Sequence, residues 1–510
     1  MAARLPSLGF MLSLGGLLAL ASGCSDDRLV QPEGVNADVI AQANGPTVLD
    51  PNLEVRTVVD GMVTPISIAF LGPDDMLVLE KVTGRVQRVT GGVVQGTVLD
   101  LAVNFASERG LLGIALHPAF PTNPGVYLYW TESTTGDDTS VLSATPLLGN
   151  RVDRFTWNGS TLTLDHNLIR LRAIQQDADQ PERGNHDGGV IRFGPDGKLY
   201  IFIGDVGRRG GTQNLRCGPT DRYDCPRAAE ANFGTVPDDQ FGGPEPDDAH
   251  LTGVILRLND DGTTPADNPF SQFGALLGGA VSPVVGANVR KIFSYGHRNS
   301  FGMAFDPRSG NLWLQENGDD SFTELNRVRP GMNGGWIQIM GPVSRINQFK
   351  QIETSPMFFG LQQIRWPPTN IADTPEEALA RLSMMPGARY VDPAFSWKYE
   401  IAPGGIGFVR GRALGPQYDG NLIMGAARDL LEGGHLFRFR LTGNRRNIAV
   451  DDPRLEDRVA DNLAKWEITE SESLLFGTDF GVGTDVQTGP NGNLFIVSLS
   501  HGAIYEIFRR

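Results

Sequence analysis

Asn185-His186-Asp187-Gly188-Gly189 stands just before an apolar run that ends in Ile203-Gly204-Asp205. Between them lies a Gly-Pro-Asp-Gly turn at 194–197, so the segment folds back as a hairpin and its two ends meet. A histidine at one end and an aspartate at the other can then pair, the acid fixing the imidazole tautomer and raising its basicity. His186 and Asp205 are therefore the candidate catalytic pair. The plainer alternative is that Asp205 caps a turn and His186 bonds a neighbouring loop. Arg298 and Asn299 set a cation and an amide donor side by side between Gly296 and Gly302. Glycines admit a ligand close to the backbone, and this pair suits carboxylate or quinone oxygens. An arginine at a sheet edge also serves as a structural ion-pair partner. Glu108, ahead of Arg109-Gly110-Leu111-Leu112-Gly113, is a third charged group at an equivalent turn. A serine-nucleophile elbow and the H-E-x-x-H or paired C-x-x-C patterns of zinc sites do not occur.

These residues need elements to hold them, and the elements repeat. An apolar strand, a turn of Gly, Pro, Asp or Asn and a second apolar run occur six times, at residues 68–80, 114–130, 191–205, 303–318, 412–425 and 486–499. Most copies are followed by another short strand, such as GRVQRV, GVILRLN, HLFRFRL or AIYEIF. Three or four strands cannot bury both faces of their own sheet. Six such units arranged radially can, leaving an axial channel. With 63 glycines and 33 prolines, the expected fold is all-β, a six-bladed propeller over residues 52–510. Long insertions at 208–251 and 341–402 map to loops on one face, where sites usually lie, and EEALAR at 376–381 reads as a short helix. If equivalent blade edges share one channel mouth, Glu108, His186 and Arg298 converge there.

The formal charge of −15 becomes −16 once Arg4 is lost with residues 1–23, and no basic stripe offers itself to a phosphate backbone. Residues 1–23 have the layout of an export signal: Arg4, an apolar stretch at 8–21, then Ala21-Ser22-Gly23 before Cys24. Small residues before a cysteine resemble a lipobox, so Cys24 is the expected lipidation site, with a plain secretory peptide as the alternative. Residues 24–51 read as a polar tether. Cys217 and Cys225, eight apart in a loop-like stretch, are expected to pair as a disulfide in an oxidising compartment.

Several motifs in series, ERGLLGIALHPAF (108–120), HDGGVIRFGPDGKLYIFIGD (186–205), GVILRLNDDGTTPADNPF (253–270), YGHRNSFGMAFDP (295–307) and ELNRVRPGMNGGW (324–336), resemble the soluble PQQ-dependent glucose, aldose sugar and sorbosone dehydrogenases. That family is a six-bladed propeller. The resemblance implies that His186 removes the sugar hydroxyl proton while hydride passes to the quinone, with Asp205 orienting the ring. It implies that Arg298 and Asn299 lie beside quinone and substrate oxygens, and that the backbone carbonyls of Gly318 and Asp319 hold calcium. Glu108 falls where the glucose enzymes carry glutamine, and Arg428 falls near their fifth-blade lysine. Their two arginines before the last blade have no counterpart in residues 481–485, and Arg410 is one loop cation that could substitute. Unpaired buried carboxylates of PQQ would cost several kcal/mol.

The implied activity is PQQ- and calcium-dependent oxidation of an aldose sugar or related alcohol outside the cytoplasm. With no C-x-x-C-H haem site in the chain, electrons must pass to a separate cytochrome or membrane quinone, near which a lipid anchor would keep the protein. Two further readings are a non-catalytic carbohydrate- or protein-binding propeller, and a calcium-dependent hydrolase or lactonase in which His186 activates water.

Overall fold

The computed structural model describes residues 45–174, 184–207, 251–280, 283–355, 371–382, 384–427 and 433–510. Their strands form six sheets of four to six strands, mostly antiparallel. The first strands of these sheets are Pro65–Gly72, Leu111–Leu116, Ile191–Phe193, Met303–Phe305, Pro403–Phe408 and Gly483–Thr488. Each touches the next, and the last touches the first, so the sheets stand in a closed ring. This is an all-β propeller arrangement. The two ends of the chain close it: Leu53–Val59 pairs antiparallel with Ala503–Arg509, completing a sheet otherwise built from the last three strands.

Each sheet has two faces to bury, so its central strands are apolar on both. Val254–Leu258 and Leu199–Ile203 are buried at every position. One cluster joins Tyr129 and Val152 of the second sheet to Ile201 and Leu256 of the third; another joins Trp313 and Trp397 of the fourth to Met424 and Phe437 of the fifth. At the axis, the Asp485 carboxylate accepts from Ser67 Oγ at 2.7 Å, Gln487 Nε2 at 2.8 Å and Arg192 Nη2 at 2.7 Å, tying the first, third and sixth sheets together. The axial space lined by Leu112, Gly188, Arg192, Phe301 and Thr484 is about 40 Å³. That volume suits a few waters and excludes a sugar or a quinone.

Three expectations are corrected here. The fifth copy of the repeat does not begin at Arg412: its inner strand is Pro403–Phe408, and residues 410–421 form the connection. PGGIGF does not look like a strand because it lacks side chains, yet the glycines are needed there. A Cβ on Gly404, Gly405 or Gly407 would run into the backbone of Gly483, Thr484 or Val486 on the adjacent inner strand. The polar segment expected to hang free as far as residue 51 is ordered at its end. Thr47–Val48 pairs with the edge strand Leu475–Thr478, and Asp50 Oδ2 accepts from Tyr418 Oη at 2.5 Å. Arg410 is two residues beyond Phe408, and Phe408 is five steps of about 3.3 Å along the strand from Pro403. It therefore sits at the far end from the residues discussed below. The helix expected at 376–381 is present as Pro375–Arg381, capped by Thr374. Phe349, Ile371 and Ala378 of the insertion carrying it pack with Trp336 and Ile339 on Phe322 of the fourth sheet. The signal segment, Cys24, Cys217, Cys225, Arg428 and most of the first insertion lie outside the described residues. No helix among the described residues is long and apolar enough to cross a membrane.

Gly407→Ala is expected to destabilise the protein by about 3 kcal/mol, because its Cβ meets a carbonyl that the ring holds in place. Urea unfolding of the variant against the parent checks this. An unchanged midpoint would mean that the inner strands can separate freely.

Candidate active site

The inner strands enter the ring from the same end, so the residues just before them share one mouth. Glu108 precedes Leu111–Leu116, His186 precedes Ile191–Phe193, and Arg298 and Asn299 precede Met303–Phe305. Glu108 Oε2 accepts from the His186 main-chain N–H at 2.7 Å and from Asn299 Nδ2 at 2.9 Å, so one carboxylate oxygen joins three sheets. Glu108 and His186 meet at this mouth with Asn299, where the expectation had Glu108, His186 and Arg298, and all are buried.

His186 has φ of 61°, an uncommon conformation for a side chain of this size. It turns Nδ1 onto Asp205 Oδ1 at 2.5 Å. The second Asp205 oxygen accepts from Trp336 Nε1 at 2.7 Å, and Oδ1 also accepts from the Gly207 N–H at 2.8 Å. Asp205 therefore orients the ring and caps a turn at once. Gly204 beside it admits no Cβ, since the Arg298 and His186 carbonyls crowd that position. Burial by itself would push the Asp205 carboxyl up. The positive charge and hydrogen bond of His186, the charge of Arg298 and the Trp336 hydrogen bond outweigh it, and the group is held below the usual range. With Asp205 ionised, its Oδ1 is the acceptor and His186 Nδ1 the donor of their contact.

Neighbouring Asp187 is in a different state. Burial pushes its carboxyl up to about 6, against the pull of Arg109, the Asn150 hydrogen bond, His186 and Lys81. Burial also draws the Lys81 ammonium down to about 8, resisted by Glu108 and Asp187. Two adjacent acids thus have opposite shifts, and only Asp205 has a histidine on its carboxylate.

Arg298 is an ion-pair partner at this mouth. Its guanidinium bonds Asp319 Oδ1 at 2.9 Å and the Asn317 carbonyl at 3.1 Å, and lies 5.6 Å from the Trp336 ring centre. It is bound to the segment expected to carry the metal. Glu316 anchors the same loop, accepting from the Arg298 N–H at 3.0 Å and pairing with His297 Nδ1 at 2.8 Å. At Gly318 a Cβ would strike the Ser321 backbone, so the turn requires glycine. Asp319, Asp320 and Glu353 bring carboxylate oxygens within 4.8 Å of one another. Carboxylate and carbonyl oxygens alone are a hard-cation donor set, suited to calcium. The Asp319 carbonyl accepts from Lys465 Nζ at 3.1 Å.

The sequence reading missed Trp336, Glu316, Asn317 and Lys465. Trp336 was within reach, since it ends the Gly-Gly-Trp of a motif already singled out. Lys465 carried no local signal: it stands in an irregular segment and reaches the site only through the fold.

The Glucose / Sorbosone dehydrogenase family model matches residues 62–218 and 232–353, more than half of the chain. Quinoprotein glucose dehydrogenase B of Acinetobacter calcoaceticus is 31% identical over 296 residues, which cover 57% of this chain and 53% of that one. An uncharacterised Synechocystis protein is 27% identical over 504 residues, 96% of this chain and 93% of its own length. Among solved structures, a Thermus thermophilus oxidoreductase described as a glucose dehydrogenase aligns with a TM-score of 0.55 at 27% identity, over 89% of this chain and all of that one. The fold, the ordered motifs and the family match agree: the chain belongs to the glucose/sorbosone dehydrogenase family.

Proposed function

We propose that the protein is a quinoprotein dehydrogenase that oxidises an aldose sugar or a related alcohol, with His186 as the base, and that its six sheets are the six blades of one propeller spanning residues 52–510. The observation that carries the reading is the buried His186–Asp205 pair at 2.5 Å, whose carboxylate is locked from behind by Trp336. A binding protein has no need of a histidine strained to positive φ against an ionised acid.

In this reading the substrate hydroxyl approaches His186 Nε2, which takes its proton. Asp205 holds the opposite nitrogen and stabilises the imidazolium that results. PQQ, when bound, supplies the two-electron acceptor for the hydride leaving the sugar carbon. Asn299 and Arg298 are the donors for its oxygens, and Glu108 holds Asn299 and the His186 backbone in register. Calcium would be held by the backbone carbonyls of Gly318 and Asp319, as the resemblance implies, beside the clustered carboxylates of Asp319, Asp320 and Glu353. Arg428 remains a proposed contact for a PQQ carboxylate. Export, a lipid anchor at Cys24, a Cys217–Cys225 disulfide and electron transfer to an external cytochrome or quinone belong to the same proposal.

Asp205→Asn is expected to lower kcat for dye reduction by about 10²- to 10⁴-fold with little change in KM, since the amide no longer holds the ring or stabilises its charge. Steady-state assays over a panel of aldoses read this. A variant with parental kcat would remove His186–Asp205 from the mechanism. Chelation is expected to abolish the activity and added calcium to restore it; full activity in excess chelator would contradict the metal assignment.

A further inference from the structure

Past residue 353 the chain lies outside the family match, and there it brings a cation to the site. Residues 461–470 form a loop built around two side chains. Asn462, fully buried, donates to the carbonyls of Tyr399, Ala464 and Glu467 and accepts from the Tyr399 N–H at 2.8 Å. Glu467 accepts from the N–H groups of Leu463 and Thr469 at 2.7 and 2.6 Å. Trp466, at φ of 63°, is fastened by its N–H to the Glu400 carbonyl. A loop tied this way delivers its side chains to fixed places. Lys465, with its side chain only 9% exposed, puts Nζ 3.1 Å from the Asp319 carbonyl and 3.0 Å from Asp320 Oδ1.

Asp319, Asp320 and Glu353 crowd three buried carboxylates together, and such a group needs positive charge among its oxygens. Arg298 supplies it on Asp319 and Lys465 supplies it on Asp320. The ammonium thus rests on oxygens of the kind that a hard divalent cation takes. We infer that Lys465 is a tethered cation occupying part of this oxygen cage, and that calcium enters only by displacing its ammonium. The inference rests on the proposed function in one respect, that Asp319 is a calcium ligand. It adds that this chain tunes its own metal affinity with a lysine from the excursion between His435–Leu441 and Leu475–Thr478, two paired strands of the fifth sheet.

The test is calorimetric titration of calcium into the full, chelator-treated chain, without quinone or sugar. Lys465→Met is expected to bind calcium roughly tenfold more tightly or better, because a like charge no longer sits on the ligand oxygens. Lys350→Met is the control. It removes a positive charge from the helix bearing Glu353, where Lys350 pairs with exposed Asp373, and it is expected to leave the affinity unchanged. If Lys465→Met does not fold, Lys465→Gln serves, with the same direction of change. Equal or weaker binding by the Lys465 variant, an equal gain from Lys350→Met, or no calcium uptake by any form would overturn the inference. None of these results bears on sugar oxidation by His186, which the dye assay judges separately.

Discussion

A carboxylate without any exposed surface organises this molecule. Asp205 is ionised in an interior that disfavours charge, so each of its oxygens must find a donor. Those donors come from different parts of the chain: His186 from the start of the same hairpin, Gly207 from the turn, and Trp336 from the segment between Ser321–Val328 and Phe395–Tyr399 of the fourth sheet. Satisfying one acid therefore fixes the orientation of the histidine and the position of a distant tryptophan. The Trp336 ring in turn lies beside Arg298, whose guanidinium grips Asp319. The base and the expected metal segment are joined through a short chain of contacts.

The ring of sheets makes that convergence possible. Inner strands running the same way put the residues before each of them at one mouth. Closure by Leu53–Val59 on Ala503–Arg509 keeps the ring from opening. Across the axis, Asp485 joins three sheets and leaves little space. At the mouth, Glu108, Asp187, Arg298, Asp319, Asp320 and Lys465 are buried or nearly so. Buried ions in such number are stable only when paired in a fixed geometry, which accounts for the many side chain to backbone bonds around them.

Much of this was legible beforehand because turn chemistry is local. Gly-Pro-Asp-Gly and its variants announced five of the hairpins at their observed positions, and the His186–Asp205 meeting follows from one of them. The fifth inner strand was illegible because its glycines answer to the neighbouring strand, a fact of packing that no local pattern carries. Arg298 was identified as a charged group at the mouth, yet its partner could not be read, since Asp319 lies in the connection between Leu312–Glu316 and Ser321–Val328, 21 residues along the chain. Lys465 was invisible for the same reason: it acts through a loop whose shape depends on Asn462 and Glu467 bonding to other elements.

The central claim is that this mouth carries out quinone-dependent oxidation with His186 as the base. Its most direct test is a titration of the purified chain with PQQ in the presence of calcium, followed by quinone absorbance and then by addition of an aldose. The account predicts saturable binding at one quinone per chain and sugar-dependent reduction of the bound quinone. In His186→Ala, binding should persist and reduction should be lost. Absence of binding at tens of micromolar PQQ, or equal reduction by His186→Ala, would contradict it.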